Sequence, residues 1–168
     1  PARTETPSLG VQAVPVENQA VEGLLRRGWR VAVAESLTGG EVSARLSACP
    51  GTGDTVVGGV VSYATDTKRR LLGVEGPVVS ESAARQMATA VRSLLDAEVG
   101  LSVTGVAGPA RQEDQPVGTV FVGWSSPAGE GCRRLACAGT PEQIRHQTAE
   151  AALDVLCAVL CEEDPGER

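Results

Sequence analysis

The sequence predicts an α/β fold: a three-layer α/β/α sandwich around a mixed, mostly parallel sheet. Three observations predict it. Helical and extended patterns alternate through the first two-thirds of the chain, which implies parallel strands with helices on both faces. Two extended runs then follow one another directly, adding an antiparallel hairpin that makes the sheet mixed. Apolar residues make up 42% of the 168 residues but aromatics only 2%. The core must therefore be built from Val, Ala and Leu, and small side chains let helices lie close to a sheet. That length suggests a single domain, over residues 15–162. A loose tail rich in Pro, Thr and Ser is expected at 1–14, and a frayed polar tail at 163–168.

A helix is expected at about 16–28, with Val16, Ala20, Leu24 and Leu25 on one side and Gly28 as its stop. Trp29 to Ala34 reads as a short buried strand. It runs into Glu35-Ser36-Leu37-Thr38-Gly39-Gly40, then a helical run to about Ala48 and the loop Cys49-Pro50-Gly51-Thr52-Gly53. Thr55 to Tyr63 is a second apolar strand, loosened by Gly58-Gly59, and Thr65 to Leu72 is a short helix capped by Thr65. Gly76-Pro77 punctuates the chain. Ser80 opens a long helix to about Asp96, with Glu81 in its first turn. Glu98 to Thr104 is a third strand and Gly105 to Gln115 an irregular polar loop. Pro116 to Ser125 and Arg133 to Ala138 form the hairpin, joined by the turn-rich Pro127-Ala128-Gly129-Glu130-Gly131. The last helix has the clearest start: Thr140 as cap, Pro141 at the first position and Gln143 three residues after the cap. It runs to about Cys161.

Several function classes are disfavoured at once. The formal charge of −6 argues against a broad basic surface for nucleic acid. No stretch reaches the roughly 18 apolar residues of a membrane span, and no signal peptide is visible. The five cysteines, Cys49, Cys132, Cys137, Cys157 and Cys161, show no paired CxxC spacing and accompany a single histidine, His146. That pattern suits free thiols in a reducing cytoplasm rather than a zinc site. No metal and no cofactor are expected.

The chemistry clusters at strand ends. Lys68 is the single lysine among fifteen Lys and Arg residues. An amine can be deprotonated in a dry site whereas a guanidinium cannot, so the exception falls where proton transfer would need it. Each pKa unit of lowering costs about 1.4 kcal/mol against the charged form, and burial or a neighbouring cation such as Arg69 or Arg70 can supply it. Ser36 lies between a strand and a helix, ahead of Thr38-Gly39-Gly40. Open α/β sheets place ligands at the C-terminal ends of strands, and helix N-termini offer free N–H groups for an anion. Taken alone, Ser36 or Thr38 reads more readily as a helix cap. The stretch is neither a dinucleotide fingerprint nor a P-loop. A Ser–Lys pair activates a nucleophile without histidine, whereas a Ser-His-Asp triad would have to use His146. The third strand ends in Val103-Thr104-Gly105-Val106-Ala107-Gly108-Pro109, again a hydroxyl with glycines. Arg145, in the second turn of the last helix, can reach an anion.

Four ordered motifs carry a resemblance. Ala34-Glu35-Ser36-Leu37-Thr38-Gly39-Gly40, Val61-Ser62-Tyr63 with Lys68 and Leu72-Gly73-Val74, Val103-Thr104-Gly105-Val106-Ala107-Gly108-Pro109, and Pro116-Val117-Gly118-Thr119-Val120 resemble the CinA C-terminal domain family over about residues 16–160. Single-domain members of that family include nicotinamide mononucleotide deamidases, and others form part of competence/damage-inducible proteins with a further N-terminal domain. The resemblance implies a metal-free amidohydrolase acting on a small-molecule nucleotide, with Ser36 as nucleophile and Lys68 as general base. It implies Tyr63 and Thr104 as supporting polar groups. Thr38, Gly39, Gly40, Gly105, Gly108 and Arg145 would contact the substrate, the amides around Thr38-Gly39-Gly40 forming an oxyanion hole or phosphate cradle. A homodimer is a further implication. The alternative is a non-catalytic nucleotide-binding or interaction domain linked to competence or DNA damage. Two departures stand out. Ala110-Arg111-Gln112-Glu113-Asp114-Gln115 replaces a longer glycine-rich stretch, and Gly139-Thr140-Pro141 replaces Gly-Asp-Arg.

Overall fold

The structure, a computed structural model, describes residues 13–161. Its elements are α1 (Val16–Arg27), β1 (Val31–Glu35), α2 (Glu41–Ser47), a 3-10 turn (Thr52–Asp54), β2 (Val56–Val61), α3 (Thr65–Leu72), α4 (Glu81–Leu94), β3 (Val99–Gly105), β4 (Thr119–Ser126), β5 (Gly129–Ala136) and α5 (Pro141–Cys161). The strands form one sheet in the order β2-β1-β3-β4-β5. β1 is parallel to β2 and β3, while β4 opposes both β3 and β5, so every strand but β4 points the same way. The expected α/β architecture with a mixed, mostly parallel sheet is present.

Helices cover both faces. Val31 and Val33 turn to the side of α1, α2 and α5, where Leu101, Ile144, Leu153 and Leu156 complete a core. Ala32 and Ala34 turn to the side of α3 and α4, against Leu72, Met87 and Val91. That alternation explains why β1 is buried at every residue. Small residues set the spacing: a Cβ at Gly100 would lie 2.0 Å from the Ala88 carbonyl oxygen, so α4 sits directly on the sheet. Fully burying a Leu or Met side chain in such a layer contributes about 1.5–3 kcal/mol.

Several boundaries differ from expectation for physical reasons. β5 begins at Gly129, paired with Ser126, so the hairpin turn is only Pro127-Ala128. Gly131 belongs to the strand and is small because the Trp124 indole crosses it, a Cβ there meeting the ring at 2.1 Å. β4 begins at Thr119, because Pro116 to Thr119 closes a turn, the Thr119 amide donating to the Pro116 carbonyl at 3.1 Å. Thr65 does not cap α3: Ala64 is the extended cap residue, and no side chain caps it. Two other caps form as expected. The Ser80 hydroxyl accepts the Ala83 amide at 3.1 Å. The Thr140 hydroxyl accepts the Gln143 amide at 3.2 Å while the Gln143 side chain accepts the Thr140 amide at 2.8 Å. Of the expected tails, only Ala13 and Val14 fall within the described residues; 1–12 and 163–168 lie outside them. No described helix is long and apolar enough to cross a membrane.

Candidate active site

β1 and β2 end side by side. Glu35 pairs with Val61, and its carbonyl accepts the Ser62 amide at 2.7 Å and the Ser62 hydroxyl at 3.2 Å. Ser36 follows directly on β1, and Ser62-Tyr63 directly on β2. Ser36 is 5% exposed. Its hydroxyl makes no hydrogen bond among the described residues, yet it is not sealed off: the single sealed, unpartnered side-chain polar atom among them is Arg45 Nη1. A hydroxyl at a strand end, open on one side and uncommitted, is free to react.

Lys68 comes from α3, whose start is set by the end of β2. The side chain is 2% exposed, and its Nζ donates to the Tyr63 carbonyl at 3.0 Å. Burial lowers its pKa from the ordinary lysine value, opposed by the Glu113 carboxylate. An ammonium needs three acceptors, while a neutral amine has two N–H groups and a lone pair. With one carbonyl supplied by the protein, the neutral form suits the site. Arg69 and Arg70 were candidates for depressing it by charge, but both are exposed, and burial is the cause. Lys68 does not point to bulk solvent, nor does it bond to Ser36. Tyr63 contributes its backbone carbonyl, while its phenol side lies out, with the residue 69% exposed.

The cradle expected at Thr38-Gly39-Gly40 is filled from within. Glu35 is 0% exposed and turns its carboxylate under the start of α2. Oε2 accepts the Thr38 hydroxyl at 2.6 Å and the Gly40 and Val42 amides at 3.1 Å. Oε1 accepts the Ser43 amide at 2.8 Å and the Ser43 hydroxyl at 2.7 Å. The Gly39 amide donates to the Ser36 carbonyl at 3.1 Å. Five donors and the positive end of α2 make a buried carboxylate tolerable, and they use up the Thr38 hydroxyl and the Gly40 amide. The amides of Leu37 and Thr38, next after Ser36, have no acceptor among the described residues. Glu35 is the residue that sequence reasoning passed over. Its position ahead of a helix start was the available signal, because acidic groups are favoured there.

The remaining residues divide. Thr104 is buried at the end of β3 and donates to the Val78 carbonyl at 2.6 Å, which leaves its lone pairs. Gly105 is packed rather than open: a Cβ there would lie 2.6 Å from the Thr119 carbonyl oxygen. Gly108 has φ +94°, a left-handed turn position suited to glycine. Arg145 is half-buried and has no hydrogen-bonding or ionic partner among the described residues. Its neighbour His146 meets Glu41, the first residue of α2, at 2.9 Å, so the turn of α5 bearing Arg145 is tied to the helix that follows Ser36. A second acid missed from sequence is Glu113, whose carboxylate accepts the amides of Val78 at 3.0 Å and Val79 at 2.8 Å. A cleft of about 450 Å³ lined by Gly23, Arg26, Trp29 and Leu160 lies at the other end of β1 and holds none of these groups.

The model of the CinA C-terminal domain family matches residues 13–160. The chain is 44% identical over 144 residues to a CinA-like protein of Frankia casuarinae, covering 82% of this chain and 33% of that one. It is 42% identical over 147 residues to a CinA-like protein of Synechocystis, covering 81% and 35%. The chain thus spans about a third of the length of these curated relatives. Among solved structures, the competence damage-inducible protein A of Klebsiella pneumoniae is similar with a TM-score of 0.85 at 31% identity, covering 89% of this chain and 97% of that one. A competence-damaged protein (CinA) superfamily protein of Escherichia coli is similar with a TM-score of 0.80 at 28% identity, covering 90% and 94%.

Proposed function

The chain belongs to the CinA C-terminal domain family, and on that footing we propose that it is a nicotinamide-nucleotide amidase, hydrolysing the carboxamide of nicotinamide mononucleotide to nicotinate mononucleotide and ammonia. The observation that carries the reading is a buried lysine amine with a single protein acceptor, at the end of the strand beside the one that delivers an uncommitted serine.

The chemistry runs in two halves. Lys68, neutral, takes the Ser36 proton as Oγ attacks the carboxamide carbon. The Leu37 amide, next after the nucleophile, donates to the developing oxyanion. Collapse breaks the C–N bond, and the Lys68 ammonium returns the proton so that ammonia leaves. A water then attacks the Ser36 ester with Lys68 again as base, releasing the carboxylate and restoring the hydroxyl. Thr104 accepts from the carboxamide N–H, and Arg145 pairs with the nucleotide phosphate.

A second reading, a nucleotide-binding or interaction domain without turnover, draws on the Lys68 bond to the Tyr63 carbonyl, which stands in place of one to Ser36. Ammonia release from nicotinamide mononucleotide decides between them. Turnover by the wild-type chain, lost in Ser36→Ala and in Lys68→Met with circular dichroism unchanged, is the expected result. Binding of the nucleotide with no ammonia at any pH would leave the second reading standing.

A further inference from the structure

We propose that the cleft between the ends of α1 and α5 is a docking site for the acidic segment Glu162-Glu163-Asp164 that follows α5, with Arg26 and Arg27 as its receptors. The cleft lies at the other end of β1 from Ser36, so the inference is independent of the amidase reading. It replaces the fraying expected for this tail with a contact that the chain makes to itself.

The crossing of the two helices is the first observation. A Cβ at Gly23 would lie 3.0 Å from Leu160 Cδ1, so α1 and α5 meet closely there. Against this crossing lies the cleft, of about 450 Å³, lined by Gly23, Arg26, Arg27, Trp29, Leu160 and Cys161. Among these residues are two cations and no acid. Arg26 is exposed and has no hydrogen-bonding or ionic partner among the described residues. Arg27 is anchored: its Nε donates to the Leu160 carbonyl at 2.7 Å, and its guanidinium lies over the Trp29 ring, 4.9 Å from the centroid. Arg30, next along the chain, is taken by Glu98 at 3.1 Å.

The end of α5 is the second observation. A helix ends in unpaired carbonyls and a partial negative charge, which basic residues in its last turn offset. α5 has none there, and the chain runs on into three acids, Glu162, Glu163 and Asp164. Left to itself, that sequence sets like charge on like. The last turn of α1 carries what is missing, Arg26 and Arg27, and Arg27 already answers Leu160. Connectivity keeps the acids close. Cys161 is part of the cleft wall, and consecutive Cα atoms are about 3.8 Å apart, so Asp164 is at most about 11 Å of chain away. Two guanidinium groups beside an indole and a leucine fit a short acidic peptide, and the one tethered at this place is the chain's own.

Neutralising the tail separates docking from fraying by the sign of the effect. In Glu162→Gln/Glu163→Gln/Asp164→Asn a frayed tail predicts a higher Tm, because acids at a helix C-terminus are unfavourable. Docking predicts a Tm lower by about 2–4 °C at low salt in a chain of this size. The difference should shrink at about 1 M NaCl, where charges are screened beyond about 3 Å. An unchanged or higher Tm overturns the proposal. Cleavage after Glu162 and Glu163 by glutamyl endopeptidase, followed by mass spectrometry, reads the cleft side. It should be on the order of 5-fold faster in Arg26→Gln/Arg27→Gln than in wild-type, the factor to which about 1 kcal/mol corresponds. Equal rates overturn the proposal. Should the double variant fail to fold, Arg26→Gln, which breaks no bond among the described residues, is expected to speed cleavage, and an unmoved rate there overturns it. Protection that grows with protein concentration would put a second copy's tail in the cleft and overturn the assignment to the chain's own.

Discussion

Replacing Glu35 with Gln tests the central structural claim, that a buried carboxylate organises the turn after Ser36. The isosteric amide fits the space but has one acceptor where there were two. Placing its NH2 at Oε2 would confront three donors, Thr38 Oγ1 and the Gly40 and Val42 amides. Placing it at Oε1 confronts two, the Ser43 amide and hydroxyl. The second orientation is therefore adopted, and the hydroxyl can rotate to accept. The Ser43 amide cannot, and an unsatisfied buried donor costs about 1–3 kcal/mol. The three remaining bonds fall from charged to neutral strength, a loss of about 1 kcal/mol each. A loss of stability of about 4–6 kcal/mol follows, or a Tm lower by roughly 10–20 °C for a chain of this size. Urea denaturation followed by circular dichroism measures it, with the slope m expected to hold. A loss below about 1 kcal/mol would refute the reasoning, for it would mean that the five donors have other acceptors within reach.

Three further outcomes follow from named contacts. Lys68→Met should be at least as stable as wild-type at pH 7, since it removes a buried amine. The Lys68 pKa is lowered from 10.5 in the folded chain, so below 10.5 the folded state binds fewer protons than the unfolded one and wild-type stability rises with pH in that window. Wild-type should thus gain on Lys68→Met as pH rises towards 10.5 in parallel urea titrations. Arg145→Ala breaks no bond within the described residues, so its stability should stay within about 0.5 kcal/mol. Its KM for the mononucleotide should rise on the order of 10- to 100-fold, as loss of a charged phosphate contact implies. Thr140→Ala removes one leg of the capping box on α5 and should cost about 1 kcal/mol, read as a small drop in Tm.

The helix caps and the strand alternation were legible because each is a local signal. Ser80, Thr140 with Gln143, and the stop at Gly28 act through bonds within a few residues. Lys68 was legible through composition alone, since an arginine-based chain that keeps one lysine marks its place. What stayed hidden depends on contacts far apart in sequence. Gly131 looks like a turn residue until Trp124 is seen lying across it. Glu113 looks like a solvated loop charge, and only its partners 34 and 35 residues upstream reveal otherwise. Glu35 is a different case: its partners are all within eight residues, but nothing in the run Glu35-Ser36-Leu37 tells which of two polar side chains turns inward. The glycines after it invited an anion, and the anion proved to be part of the chain.

Two buried ionisable groups thus flank one strand end, and the protein treats them oppositely. Glu35 is surrounded by five donors, all accepted by its two carboxylate oxygens. Lys68 is offered a single carbonyl, which leaves burial to favour its neutral form. Placing arginine at 68 would set five N–H donors that cannot be deprotonated against that one acceptor. The site can hold an amine because an amine can give up its proton, and the same property lets it receive one from Ser36. The drift of the composition to arginine stopped at the position where the cation has to be able to disappear.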